Sequence, residues 1–93
     1  MPRIAYVNGR YVDHRDAAVH VEDRGYQFAD GVYEVVHLFR NRLIDADPHL
    51  DRLGHSLVEL QMAWPMHRSA LKVAMHEIVR RNRFATGLLY IQV

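Results

Sequence analysis

Glu22-Asp-Arg-Gly-Tyr-Gln-Phe-Ala-Asp-Gly-Val-Tyr-Glu34 is the stretch from which the rest of the chain is read. Gly25 and Gly31 open backbone conformations closed to other residues, and Asp30-Gly31 is a turn signal. The run that follows, through Phe39, is β-branched and aromatic and reads as a strand over residues 32–40. Alternation sorts that strand into two faces. Tyr33, Val35, His37 and Phe39 share one, which suits a wall exposed to a cavity. Val32, Glu34, Val36 and Leu38 share the other, apolar except for Glu34, and this face is expected on the core. A loop that delivers a tyrosine and a glutamate to a strand's first residues is either the wall of a small-molecule site or a structural turn before a core strand. Both readings stand on these residues alone.

Upstream, Asn8-Gly9 lies between the short apolar runs 4–7 and 11–12. Such a pair is a strong hairpin signal because both residues tolerate positive φ. The hairpin is expected as an outer element of the sheet, with a polar loop over 13–16 and an extended or irregular stretch over 17–21. Downstream, Asn41-Arg42 makes a turn and Leu43-Ile44 a short return strand. Asp47 is expected to cap a helix, with Pro48 at its first position. Leu50, Leu53, Leu57 and Leu60 then form one apolar stripe, and Gly54 marks close backbone packing. Trp64-Pro65 ends that helix. A second is expected over 68–82, burying Leu71, Ala74, Met75, Ile78 and Val79, with Arg80, Arg81 and Arg83 at its C-terminal end where the helix dipole favours cations. Thr86-Gly87 breaks the pattern before a last strand over 88–93. The sum is one α+β domain: a mostly antiparallel sheet with two helices on one side.

Composition narrows the function classes. Ninety-three residues make one domain at most, and 49% hydrophobic content is enough for a modest core. A net charge of +1 implies no strong field for nucleic acid or a membrane surface. No cysteine is present, so disulfide and thiolate chemistry are out, in keeping with a cytoplasmic protein. No apolar run has the length of a signal peptide core or a membrane span. His14, His20, His37, His49, His55, His67 and His76 show no metal-ligand spacing, and no metal site is assigned. Asp30 and Glu34 form no catalytic pair and are read as structural. The sequence stops at Val93 inside an apolar strand, which is read as a sign of truncation.

The central stretch, extended through Val36, resembles the N-terminal signature of class IV aminotransferases, the pyridoxal-phosphate enzymes of fold type IV. The run Arg24-Gly-Tyr-Gln-Phe28 is most similar to the D-amino-acid (D-alanine) branch. Branched-chain aminotransferases and aminodeoxychorismate lyase share the Asp-Gly-aromatic-Glu core. The resemblance is specific over about fifteen residues and looser over the rest. It implies that these residues are the small N-terminal domain of a homodimeric, cytoplasmic enzyme. That enzyme would use pyridoxal 5'-phosphate to move an amino group between a D-amino acid and a 2-oxo acid.

The resemblance also implies site residues. His49-Leu-Asp-Arg-Leu53 is similar to the family segment whose arginine grips the cofactor phosphate, which maps onto Arg52. Helical geometry alone puts Arg52 on an exposed face near His55 and Glu59. Tyr33 maps onto the pocket tyrosine, Val35 and His37 would line the same pocket, and Tyr90 resembles a tyrosine near it. No residue maps onto the Schiff-base lysine, because Lys72, the only lysine, lies mid-helix in an unlike segment. These residues alone are therefore expected to be inactive. The alternatives are a branched-chain or (R)-amine aminotransferase, the lyase of the same fold, or a non-catalytic binding or dimerisation module.

Overall fold

Asn8 and Gly9 close the first hairpin with φ of 49° and 87°, the positive pair that a two-residue turn matched to strand twist requires. They join β1 (Ile4–Val7) to β2 (Arg10–Asp13), and Tyr6 meets Tyr11 edge-on across the ladder at 5.1 Å. The coordinates are a computed structural model that describes residues 3–24, 31–83 and 85–93. Most of the signature loop, residues 25–30 with Gly25 and Asp30, lies outside the described residues.

The strand after that loop is β3 (Tyr33–Phe39), the middle strand of a three-stranded sheet. On one side it pairs antiparallel with the short β4 (Arg42–Leu43), on the other with β5 (Gly87–Gln92). Arg40 and Asn41, at φ of 50° and 66°, turn β3 into β4. Val32 and Val93 exchange both backbone hydrogen bonds, which carries the β3–β5 ladder one pair beyond the regular strands.

Two helices follow β4: α1 (Ala46–Glu59) and α2 (Arg68–Asn82). They cover the sheet face on which Val36 is wholly buried. Leu50, Leu53 and Leu57 of α1 are at most 1% exposed, and Leu71 and Met75 of α2 complete the cluster with Val32 and Ile91. Each such aliphatic side chain stabilises the fold by roughly 1.5–3 kcal/mol through removal from water. The domain is α+β, an antiparallel sheet with two helices on one side, and the alternation of β3 falls as the sequence indicates.

Four local expectations are corrected. The hairpin is not an outer element of the main sheet but a separate two-stranded sheet docked on α2. There Asn82 uses its whole amide: Oδ1 accepts from the Ile4 amide at 2.9 Å, and Nδ2 donates to the carbonyls of Ile4 and Ile78. Arg81 lies over the Tyr11 ring at 4.2 Å. Residues His14–Asp16 form a short 3-10 turn rather than an open loop. The first helix starts earlier than expected, with Asp45 at its N-cap in the left-handed region and no side-chain capping bond. Asp47 is drawn off by cations of the other helix: Lys72 Nζ at 2.5 Å and Arg68 at 3.5 Å. Pro48 then falls inside the first turn, where helix amides need no intrahelical acceptor. Leu60 does not extend the buried stripe: it is the C-cap and is 43% exposed, because Gln61 at φ 57° turns the chain away.

Candidate functional site

The two faces of β3 build two different surfaces. On the outer face stand Tyr33, Val35, His37 and Phe39. The register adds β5 residues opposite them: Gln92 against Tyr33, Tyr90 against Val35, Leu88 against His37. Tyr33 and Tyr90, on a diagonal, stack at 5.9 Å with ring planes 21° apart, close to the offset arrangement aromatic quadrupoles favour. The Tyr90 hydroxyl donates to Gln92 Oε1 at 2.6 Å. Tyr33 and Tyr90 are nevertheless 65% and 59% exposed, and Leu88 74%. All four residues assigned to a substrate pocket are thus on one accessible face. A cleft of about 390 Å³ lies elsewhere, lined among others by Arg3, Leu38, Ile78, Asn82 and Leu89, and contains none of them.

The inner face carries the charge. Glu34 is only 4% exposed, opposite Ile91 in the ladder and among the core aliphatics. A carboxylate there needs partners, since an unpaired buried charge is costly. Helix α1 supplies them. Arg52 donates from Nε to Glu34 Oε2 and from Nη2 to Oε1, both at 2.8 Å, a paired grip through one edge of the guanidinium. His49 Nδ1 lies 2.8 Å from Oε1. Because an ionised carboxylate only accepts, the hydrogen sits on Nδ1, so the 3.5 Å approach of Arg52 Nη2 to that same nitrogen brings two donors together and is no bond. The Arg52 hydrogen bonds hold the Glu34 carboxyl below its usual range. Burial pushes the other way, and the His49 hydrogen bond adds to the lowering. The same contacts raise Arg52, which carries a further contribution from the nearby Tyr33 phenol.

Arg52 therefore does not simply face solvent beside His55 and Glu59, as its helical position suggests. Its side chain is 68% exposed, yet its inner edge is fixed to the strand. No hydrogen bond engages Nη1 among the described residues. Arg52 and the tyrosine pair stand on opposite sides of the sheet, and they approach one another at the start of β3, where Tyr33 and Glu34 are neighbours. Lys72 pairs with Asp47. The sequence reading missed Glu34 and His49 as parts of this cluster. A signal was present: Glu34 interrupts an otherwise apolar strand face, and His49 and Arg52 stand one helical turn apart beside Leu50 and Leu53.

Residues 31–93 match the family model for class IV amino-transferases. The chain belongs to the class IV aminotransferases. Among curated proteins it is 42% identical over 87 residues to the D-alanine aminotransferase of Listeria innocua and 41% identical over 86 residues to that of Bacillus licheniformis. These matches cover 94% and 92% of this chain. Among solved structures, the branched-chain aminotransferase of Thermoproteus uzoniensis with norvaline superposes with a TM-score of 0.83 at 27% identity, over 99% of this chain and 32% of that one. The chain spans about 30% of the length of the two curated relatives. The match to the family model begins at Gly31 and takes in β3, Arg52 and Tyr90, while the hairpin lies outside it.

Proposed function

We propose that these residues form the N-terminal domain of a pyridoxal-phosphate aminotransferase that exchanges an amino group between a D-amino acid, such as D-alanine, and a 2-oxo acid. The observation that carries this reading is Arg52, fixed along one edge and open along the other, beside a strand whose outer face presents Tyr33. The guanidinium fits a phosphate: planar, always charged, and with Nη1 directed to neither Glu34 nor His49. When bound, pyridoxal phosphate supplies an electron sink for the carbon that loses its proton. On the outer face, Tyr33, Val35, His37 and Tyr90 form one wall of the substrate pocket. The stacked tyrosines give that wall an aromatic surface, and their hydroxyls give it polar edges. We assign no covalent anchor to these residues: Lys72, the only lysine, lies mid-helix in a segment unlike the family's lysine strand and pairs with Asp47. The intact enzyme is read as a cytoplasmic homodimer.

The 93-residue chain mixed with cofactor, D-alanine and a 2-oxo acid is expected to give no transamination, with Lys72→Ala indistinguishable from the parent. Turnover that survives Lys72→Ala would contradict this assignment. The structural likeness to a branched-chain aminotransferase supports a second reading, transfer from branched-chain amino acids. A donor panel run on the full-length protein separates the two. D-Alanine consumed well ahead of L-leucine and L-valine supports the first reading, and the reverse order supports the second.

A further inference from the structure

We infer that Glu34, backed by His49, is the positioning residue for anion capture by Arg52. It fixes the inner edge of the guanidinium so that the outer edge is preset for phosphate. The inference rests on the proposed role of Arg52 and adds to it a buried residue from another element. Glu34 sits on a central strand, is 4% exposed, and places both oxygens on a single arginine at 2.8 Å. A carboxylate that served only to bury charge would gain from donors on several elements. This one takes all three of its side-chain contacts among the described residues from one turn of α1, two from Arg52 and one from His49. His49 Nδ1 adds a third contact, to Oε1 at 2.8 Å.

The consequence is a division of the guanidinium. Nε and one hydrogen of Nη2 bond Glu34, while Nη1 has no hydrogen-bond partner among the described residues on a side chain that is 68% exposed. A free arginine must lose rotamer freedom when it closes on phosphate, whereas this one has lost it already. The opposing effect is electrostatic, since the Glu34 charge lies beyond the guanidinium and repels an anion. Orientation is expected to win because the Glu34 charge is already neutralised by its paired hydrogen bonds to Arg52, and phosphate would meet the guanidinium on its exposed side.

Titration of the chain with inorganic phosphate, followed through the Arg52 side-chain nitrogen resonances, tests this directly. In the parent protein the Nε–H signal of Arg52 is expected to be protected from exchange and to shift with phosphate. Glu34→Gln, which loses one acceptor's charge, and Glu34→Asp, which keeps the charge but shortens the reach, are both expected to lose that protection. Each is expected to weaken phosphate binding by up to about tenfold, the scale of immobilising one rotamer-rich side chain on binding. A dispersed amide spectrum shows which variants are folded, and Glu34→Asp carries the test if the glutamine variant is not. Phosphate binding in a folded Glu34 variant that equals or exceeds the parent's would overturn the positioning role while leaving Arg52 as the phosphate ligand. Binding unchanged in Arg52→Leu, or absent from the parent, would overturn that ligand assignment and the inference with it.

Discussion

Replacing Glu34 by glutamine leaves Arg52 with a neutral partner and the core with a weaker acceptor. Breaking a fully buried ion pair costs about 3–5 kcal/mol. Arg52 is 68% exposed, so solvent screening reduces the expected loss here to about 1–2 kcal/mol. The pH dependence has a definite sign. The Glu34 carboxyl titrates below its ordinary value of 4.5 in the folded state, so its contribution is complete above that value and disappears as pH falls through the lower folded value. Urea unfolding should therefore separate parent from Glu34→Gln at neutral pH, with the gap closing as pH falls below 4.5. A gap that widens on acidification would contradict the assigned pair. This residue also shows where sequence reading stops. Alternation placed Glu34 on the core face without naming its partners, because contacts between residues 34, 49 and 52 depend on how α1 crosses the sheet.

At the level of elements, periodicity carried most of the information. The 3.6-residue stripe of Leu50, Leu53 and Leu57 and the two-residue alternation of β3 are properties of the chain itself, and both hold in the fold. The bounds of α2 were read as they stand, but the start of α1 was less legible, because Asp47 had two uses and the cations of α2 settled which one it took. Gly54 was read as a point of close approach, and Trp64 is the group that approaches. A Cβ at Gly54 would stand 3.0 Å from Trp64 Cζ2. The indole is 36% exposed and lies after the helix, so it can give way by a few tenths of an ångström. Gly54→Ala is therefore expected to gain up to about 1 kcal/mol of helix propensity, less the cost of moving the ring. The emission of the only tryptophan should move towards that of a solvated indole. A large loss of stability would mean that Trp64 is held more firmly than its exposure indicates. The hairpin was legible from Asn8-Gly9, but its docking on α2 was not, because the attachment runs through Asn82 and Arg81, distant in sequence and unmarked by any pattern.

For the whole molecule, a single small core carries the fold. Leu53→Ala is expected to cost about 2–5 kcal/mol, a large share of the stability of a domain this size. Thermal unfolding should show it as a fall of many degrees. No helix among the described residues is long and apolar enough to cross a membrane. The family was readable from residues 22–36 because the signature combines turn glycines with the strand that carries Tyr33 and Glu34. The division of labour between Arg52 and its holders needed the fold. In the proposed reading this domain grips the cofactor's phosphate through Arg52 without anchoring the cofactor covalently. The measurement that tests it most directly is the phosphorus NMR signal of pyridoxal phosphate added to the chain and to Arg52→Leu. A shift with the parent that is lost in Arg52→Leu and kept in Lys72→Ala is the expected result. A shift that persists in Arg52→Leu, or vanishes in Lys72→Ala, would contradict the account.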